Sequence, residues 1–194
     1  MPVAPDAVLQ DQEGRPMLRF ERLLQHPPER VWKALTEPGE LSGWHPTPAR
    51  FEASPGGKVS YLSAEEVRTM SALRDPPEMP DGEVTEYDPP RVLAHTWGED
   101  ELRWELRPHE RGCLLVLLHT FDDRFKAARD AAGWHLCLDA LSTVLDGVPR
   151  PEEKDAEGLP WGWPELNSGY EERFGIPPER ATPPPTEAVD EPSH

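Results

Sequence analysis

One long helical pattern constrains the fold of this chain more than any other feature. Between Ala127 and Leu145 the apolar residues recur at steps of three and four, so they form one face of a helix. A second apolar set on the flank makes that face wider than packing on one neighbour requires. The sequence therefore predicts a helix that lies against a broad apolar surface. The face consists of Ala127, Ala131, Trp134, Leu138, Leu141 and Leu145, and the flank of Cys137, Ala140 and Val144.

Short strand patterns precede this helix. Residues 17–25 alternate apolar and charged side chains as a strand does, and the following "HPPERVWKALTEPGELSGW" predicts two short helices. A Pro-Gly-Gly turn predicts a hairpin over residues 49–63. Further strands are predicted at 82–88, 91–97, 101–107 and 113–121. A meander of about seven strands before one long helix predicts an α+β fold, with the helix packed on one face of an antiparallel sheet.

The register of two strands follows from the turn between them. If residues 98–101 form the loop, the apolar residues on either side pair with one another and face the helix, while Arg103, Glu105 and Arg107 face water. The predicted pairs are Trp97–Leu102, His95–Trp104 and Leu93–Leu106. The next strand has two registers that the residues alone leave open. The inward set is either Leu115, Leu117 and His119, or Leu114, Val116 and Leu118.

Composition narrows the range of partners. The chain has 20 basic and 37 acidic residues, and its net charge of −17 argues against nucleic acid or an anionic membrane as partner. No segment approaches the roughly 20 apolar residues of a membrane-spanning helix, and the N-terminus has no secretory signal pattern. Cys113 and Cys137 lie in apolar segments, which indicates small buried side chains and no disulfide framework. We therefore expect a cytoplasmic, reduced protein.

The two ends of the chain differ from its middle. Residues 1–16 are polar and proline-rich, so we expect a flexible N-terminus before a domain at 17–147. Residues 148–175 keep four aromatic side chains and predict a docked C-terminal extension. Residues 176–194 are proline-rich and acidic, which predicts a disordered tail. Residues 64–80 fit no element well and are interpreted as an irregular strand or a mobile flap.

Several segments resemble one known superfamily in their order along the chain. They are "FERLLQHPPERVWKALTEPGELSGWHP", "SPGGKVSY", "GEVTEYDPPRVLAHTW" and "GWHLCLDALSTVLDG". Together they resemble the START-like (SRPBCC) superfamily, and most closely its bacterial branch named for the C-terminal domain of the activator of Hsp90 ATPase. The resemblance implies a helix-grip fold, in which a curved antiparallel sheet wraps around the long C-terminal helix and commonly encloses an apolar cavity.

The resemblance also bears on the candidate site. It favours the register that places Leu115, Leu117 and His119 inward, and it implies that Trp134, Leu138 and Leu141 line the cavity. The other candidate ligand-binding residues are inward-facing side chains of the predicted strands and aromatic residues near them. That set is Trp44, Tyr61, Tyr87, His95, Trp97, Trp104, Leu106, Leu117, His119, Trp134, Leu138 and Leu141.

Catalytic and cofactor signals are weak. The sequence has no Gly-rich phosphate loop, and "HLC" at residues 135–137 places its two potential ligands on different helix faces, so no cofactor, metal or catalytic residue is predicted. His95 and His119 are either ionisable groups in an apolar cleft or buried histidines whose hydrogen bonds are satisfied. His45 begins the turn "HPTP" and is assigned no role.

Three functions agree with this pattern, in descending order of support. The first is binding of a small apolar or aromatic molecule in the cavity. The second is a cyclase/aromatase-like enzyme that uses the same cavity, and the third is a partner of an Hsp90-type chaperone, as the family name suggests. Fold resemblance alone does not choose among them. The sequence leaves open whether the chain forms a homodimer.

Overall fold

A computed structural model describes residues 6–63, 65–66, 80–148 and 162–181 of the 194-residue chain. Its helices are α1 (Pro28–Thr36), α2 (Pro38–Leu41), α3 (Ala127–Leu145) and α4 (Trp163–Phe174). Its strands are β1 (Val8–Gln12), β2 (Arg15–Leu24), β3 (Ala49–Phe51), β4 (Lys58–Tyr61), β5 (Gly82–Asp88), β6 (Val92–Trp97), β7 (Asp100–His109) and β8 (Gly112–Thr120). The segment 64–80, predicted as a strand or flap, lies almost entirely outside the described residues.

The strands form one large curved antiparallel sheet, and α3 packs against its inner face. The strand order is β1-β2-β8-β7-β6-β5-β4-β3, so the chain meanders outward from β8 in one direction, and β2 and β1 complete the other side. The apolar face of α3 is buried, including Trp134, Leu138 and Leu141. This arrangement confirms the predicted α+β helix-grip fold. The sheet has eight strands, one more than the predicted number of about seven.

The loop between β6 and β7 is shorter than predicted. Trp97 pairs with Asp100, so the connection is the two-residue turn Gly98–Glu99, in which Gly98 adopts a positive φ of 62°. The predicted register was therefore wrong by two residues. The observed pairs are His95–Leu102 and Leu93–Trp104. A shift of two residues keeps every side chain on its predicted face, because the side-chain period of a strand is two.

The inward face of β8 is the one that the family resemblance favoured. Leu115, Leu117 and His119 are completely buried and pair with Leu106, Trp104 and Leu102 of β7. On the opposite face of β7, Arg103 forms ion pairs with Glu86 and Glu105. The sheet therefore has an apolar inner face toward α3 and a charged outer face around Arg103.

The N-terminal segment is more ordered than its composition indicates. Residues 8–12 form the edge strand β1, which pairs with β2 through a turn at Glu13 and Gly14. The Tyr170 hydroxyl of α4 accepts hydrogen bonds from the backbone amides of Asp6 and Ala7. Residues 6–16, which the composition predicts to be flexible, thus contain a strand and long-range hydrogen bonds to α4. The residues of β1 are mostly exposed, so its sequence shows no alternation of apolar and polar residues.

The C-terminal extension contains a helix that packs on α3. In α4 the side chains of Trp163, Leu166, Tyr170 and Phe174 are buried, and Tyr170 hydrogen-bonds to His135 of α3. Ile176 is also buried, at 3% exposure, so the tail predicted to be disordered from residue 176 begins with an anchored residue. Residues 149–161 and 182–194 lie outside the described residues. None of the helices described combines the length and apolar character that crossing a membrane requires.

Candidate functional site

Four tryptophans meet in the space between the sheet and α3, and we call them the tryptophan cluster. Trp134 of α3 lies 5.6 Å from both Trp97 at the end of β6 and Trp104 of β7, measured between ring centroids. Trp44, which follows α2, lies 5.7 Å from Trp104. The rings meet edge-to-face or tilted, as aromatic pairs prefer. Trp97 is partly buried and the other three are buried, so Trp97 is the most accessible member of the cluster.

Hydrogen bonds hold three of these indoles in place. The indole nitrogen of Trp44 donates to the carbonyl oxygen of Ala34 at 2.9 Å, which ties it to α1. Trp97 donates to the Thr47 hydroxyl at 2.7 Å, and Trp134 donates to Nδ1 of His119 at 3.1 Å. Because a buried indole N–H needs an acceptor, these bonds set the orientation of each ring.

His119 is held in a hydrogen-bond chain that runs from the cluster toward the surface. Since the Trp134 indole can only donate, Nδ1 of His119 accepts and its Nε2 carries the hydrogen, which it donates to Asp100 at 2.9 Å. Asp100 also accepts from Lys126 at 2.5 Å. Burial alone would raise the pKa of Asp100, but the hydrogen bonds from His119 and Lys126 outweigh it and lower that pKa. Both ring nitrogens of His119 are satisfied.

The hydrogen-bond chain around His119 contains residue types that bind metals, but a metal ion does not fit there. Ligand atoms of Asp100, His119 and Asp130 lie within 4.8 Å of one another. The ammonium group of Lys126 already lies there, 2.5 Å from Asp100 and 3.8 Å from a buried Asp130 oxygen that has no hydrogen-bond donor. Moreover, a metal ligand needs a lone pair on His119 Nε2, whereas Trp134 places the hydrogen on that atom. Hydrogen bonds and an ion pair within the protein therefore hold this group together.

His45 lies against the tryptophan cluster, although no role is predicted for it from the sequence. Its ring centroid is 5.1 Å from Trp44 and 5.4 Å from Trp134. Nδ1 accepts a hydrogen bond from the backbone N–H of Thr47 at 3.1 Å. Burial, and to a lesser degree the proximity of His95, lowers the pKa of His45 to about 3, so its imidazole is neutral. The sequence predicts a turn at "HPTP", and no local pattern in it indicates that His45 is buried.

His95 is a second neutral histidine on the inner face. It is 1% exposed, and its ring packs 5.0 Å from Phe51 of β3. Nδ1 lies 3.0 Å from the carbonyl oxygen of Thr96, which also accepts from the Tyr61 hydroxyl at 2.6 Å. Burial lowers the pKa of His95 to about 4 and raises the pKa of Tyr61. Tyr61 therefore joins the site by anchoring the strand end next to Trp97.

The remaining candidate residues divide into two groups. Leu117 is buried beneath the cluster, opposite Trp104, while Leu138 and Leu141 follow Trp134 along the buried side of α3. Leu106 is buried one pair further along the same two strands. Tyr87, in contrast, packs against Trp32 of α1, with ring centroids 5.4 Å apart, and has no ring contact with the tryptophan cluster.

A separate concavity lies on the outer face of the sheet. It has a volume of about 290 Å³ and is lined in part by Met17, Ala94 and Leu118, with Glu86 and Arg103 beside them. These side chains point away from α3, because they alternate with the inward residues of their strands. The concavity is thus distinct from the tryptophan cluster and supplies a control position for binding experiments.

Comparison with known proteins defines the family. Residues 25–146 match the family model described as "Activator of Hsp90 ATPase homolog 1-like protein". The chain belongs to this family. The match begins at the end of β2 and extends just past α3, so it includes the tryptophan cluster and both neutral histidines. No curated protein matches the sequence at a significant level.

Solved structures show the same START-like fold. The EF2215 protein of Enterococcus faecalis, a conserved protein of unknown function, is 20% identical with a TM-score of 0.66, over 87% of this chain and 90% of that chain. CalU16 from Micromonospora echinospora is 19% identical with a TM-score of 0.62, over 88% and 95% of the two chains. The BPP1335 protein of Bordetella parapertussis is 29% identical with a TM-score of 0.59, over 91% and 93%.

Proposed function

We propose that this protein binds one small aromatic or apolar molecule between the curved sheet and α3, at the tryptophan cluster. The observation that carries the proposal is a contiguous set of four indoles, in which Trp97 and Trp104 contact Trp134 of α3 and Trp44 contacts Trp104. Trp97 is the member that is only partly buried. Aromatic surfaces of this kind bind flat apolar molecules through stacking and edge contacts. The proposal also agrees with the apolar cavity that is common in the START-like superfamily.

The enzyme alternative has less support from the site chemistry. A general base works best when its pKa lies near the operating pH, whereas burial lowers the pKa of His45 to about 3 and that of His95 to about 4. His119 has both nitrogens engaged by Trp134 and Asp100. Ligand binding needs no proton transfer, so it is compatible with neutral His45 and His95 and with a His119 whose two nitrogens are already hydrogen-bonded.

A neutral fluorescent probe tests the proposal. We expect N-phenyl-1-naphthylamine to bind saturably, with increased probe fluorescence and quenched tryptophan emission. Trp97→Ala should weaken binding about three- to tenfold, because one aromatic contact contributes about 0.5–1.5 kcal/mol beyond the area it buries. Trp32→Phe is the matched control, since Trp32 packs on Tyr87 and makes no ring contact with the cluster.

A second control distinguishes the two faces of the sheet. Leu118→Ser alters the outer concavity and should leave probe affinity unchanged. Loss of binding in Leu118→Ser with normal binding in Trp97→Ala would place the probe on the outer face and refute the proposal. Absence of saturable binding to the unmodified protein would refute it as well. Melting curves of all variants show whether each is folded at the temperature used.

A further inference from the structure

The outer face of the sheet, on the side away from α3, is apolar along strand β8. The outward side chains of this strand alternate with its inward set and are Leu114, Val116 and Leu118. Val116 is completely buried, and the two leucines are partly buried. An antiparallel strand with one face in water usually carries polar residues on that face, whereas a strand that is apolar on both faces is typical of burial on both sides.

Two neighbouring rows of side chains cross this outer face at right angles to the strands. Both rows run through β2, β8, β7 and β6, and they lie two residues apart along each strand. We call them the basic row and the acidic row, after the charges that they carry. The basic row consists of Arg19, Leu118, Arg103 and Ala94, and the acidic row of Glu21, Val116, Glu105 and Val92.

The order of residues in the two rows makes the face complementary to a second copy of itself. A two-fold axis that lies in the plane of the interface, between the rows and across the strands, exchanges one row with the other. Sheets that pack face to face keep their strand directions within about 30° of each other, so this arrangement agrees with sheet packing. Across the axis, Arg19 lies opposite Glu21, Leu118 opposite Val116, Arg103 opposite Glu105, and Ala94 opposite Val92.

The next row on either side follows the same rule. Beside the basic row lie Met17, Thr120 and Glu101, and beside the acidic row lie Leu23, Leu114 and Arg107. The same axis places Met17 opposite Leu23 and Glu101 opposite Arg107. Apolar side chains therefore meet apolar ones, and charges meet opposite charges, over four rows with a single axis.

The net charge of the face favours a second copy over other partners. In the four rows three arginines balance three glutamates, so the face is neutral, whereas the chain carries a charge of −17. A basic partner would be drawn to the acidic parts of the surface, and an acidic partner would be repelled by them. Two copies of this chain repel each other least where the local charge is zero.

We propose that two copies of the protein form a two-fold homodimer through the outer faces of their sheets, with the basic row of each against the acidic row of the other. Arg19–Glu21 and Arg103–Glu105 already form ion pairs within one copy, so association exchanges partners and leaves no charge unpaired. The four rows cover about 500 Å² per copy, near the lower limit for a specific interface, so the dimer should be weak and reversible. The tryptophan cluster lies on the opposite face of the sheet, so this inference does not depend on the proposed function.

Sedimentation velocity over a micromolar concentration series tests the proposal. The unmodified protein should change reversibly from monomer to dimer. An acidic variant, Arg19→Glu with Arg103→Glu, places like charges opposite each other and should stay monomeric. A basic variant, Glu21→Arg with Glu105→Arg, should stay monomeric for the same reason. An equimolar mixture of the two should dimerise, because the axis then places the introduced glutamates opposite the introduced arginines.

The mixture distinguishes this interface from any other surface. An unmodified protein that stays monomeric throughout the series would overturn the proposal. Dimers of either charge variant alone, or a mixture that stays monomeric while both variants are folded by circular dichroism, would overturn it too. Dimerisation that appears only after deletion of residues 182–194 would assign the face to the chain's own C-terminal residues instead.

A single substitution gives a second test if a charge variant does not fold. Leu118→Glu buries a carboxylate opposite Val116 of the second copy, so it should weaken dimerisation at least about tenfold. Val148→Glu is the matched control, because Val148 follows α3 and is 54% exposed, and it should leave dimerisation unchanged. Equal dimerisation of Leu118→Glu and the unmodified protein would place the contact elsewhere and refute the proposal.

Discussion

Acidification should destabilise the protein well before its carboxylates are protonated. His45 and His95 are buried as neutral rings, and burial lowers their pKa values to about 3 and about 4 from the ordinary 6.5. Below pH 6.5 the unfolded chain therefore binds protons that the folded chain excludes. The stability that these two groups provide is complete above pH 6.5 and is lost as the pH falls toward their folded values.

The size of the effect follows from the two pKa values of each histidine. Between pH 7 and pH 5 each ring should lower the free energy of unfolding by about 2 kcal/mol, so the pair accounts for about 4 kcal/mol. At pH 5 this number hardly depends on the folded pKa, because both values lie below 5. His135, whose pKa is lowered chiefly by burial, acts in the same direction. The pKa of Asp100 is depressed, so its contribution is lost only at still lower pH.

Urea unfolding followed by tryptophan fluorescence at pH 7 and pH 5 measures this difference. His95→Phe should remove about 2 kcal/mol of the pH dependence, whatever it does to stability at pH 7. His109→Phe, at an exposed site, should retain all of it. If the unmodified protein loses less than about 1 kcal/mol over this range, or if His95→Phe loses as much as the unmodified protein, the neutral burial of these rings is refuted.

Three further predictions concern other parts of the molecule. Tyr170→Phe keeps the ring but removes the acceptor for the amides of Asp6 and Ala7. It should lower the free energy of unfolding in urea by about 1–3 kcal/mol and increase hydrogen exchange in β1. Tyr87→Phe should change neither. Trp134→Phe leaves Nδ1 of His119 without its donor, so we expect the free energy of unfolding in urea to fall by about 1–3 kcal/mol or more. Nitrogen-15 NMR should still show the hydrogen on Nε2, because the Asp100 carboxylate can only accept. Finally, we expect no stimulation of a bacterial Hsp90-type ATPase at micromolar protein, and a saturable rise in ATP turnover would contradict this.

The features that the sequence predicts well are those that depend on periodicity. The faces of β6 and β7 were correct although the register was wrong, because a shift of two residues moves no side chain across the sheet. The long helix and its buried face were equally clear from the spacing of apolar residues. The family resemblance then supplied the choice between the two registers of β8, which local spacing left open.

The features that the sequence does not reveal depend on long-range contacts. Strand β1 is mostly exposed, and its position depends partly on Tyr170, which lies 163 residues away from Ala7 along the chain. Ile176 is buried by tertiary packing, although a glycine precedes it and two prolines follow it in the sequence. His45 reaches the tryptophan cluster only because the loop after α2 turns inward. No local pattern marks any of these contacts.

The histidines around the cluster show why burial alone does not define a functional group. His119, His45 and His95 are all buried and all contact aromatic rings. His119 uses both nitrogens within the protein, so it stabilises the fold and has nothing left to offer a ligand. His45 and His95 use one nitrogen each, and their backbone partners leave a donor on one ring and an acceptor on the other. Burial and aromatic contact are therefore common to all three histidines, and they differ in how many ring nitrogens the protein itself satisfies.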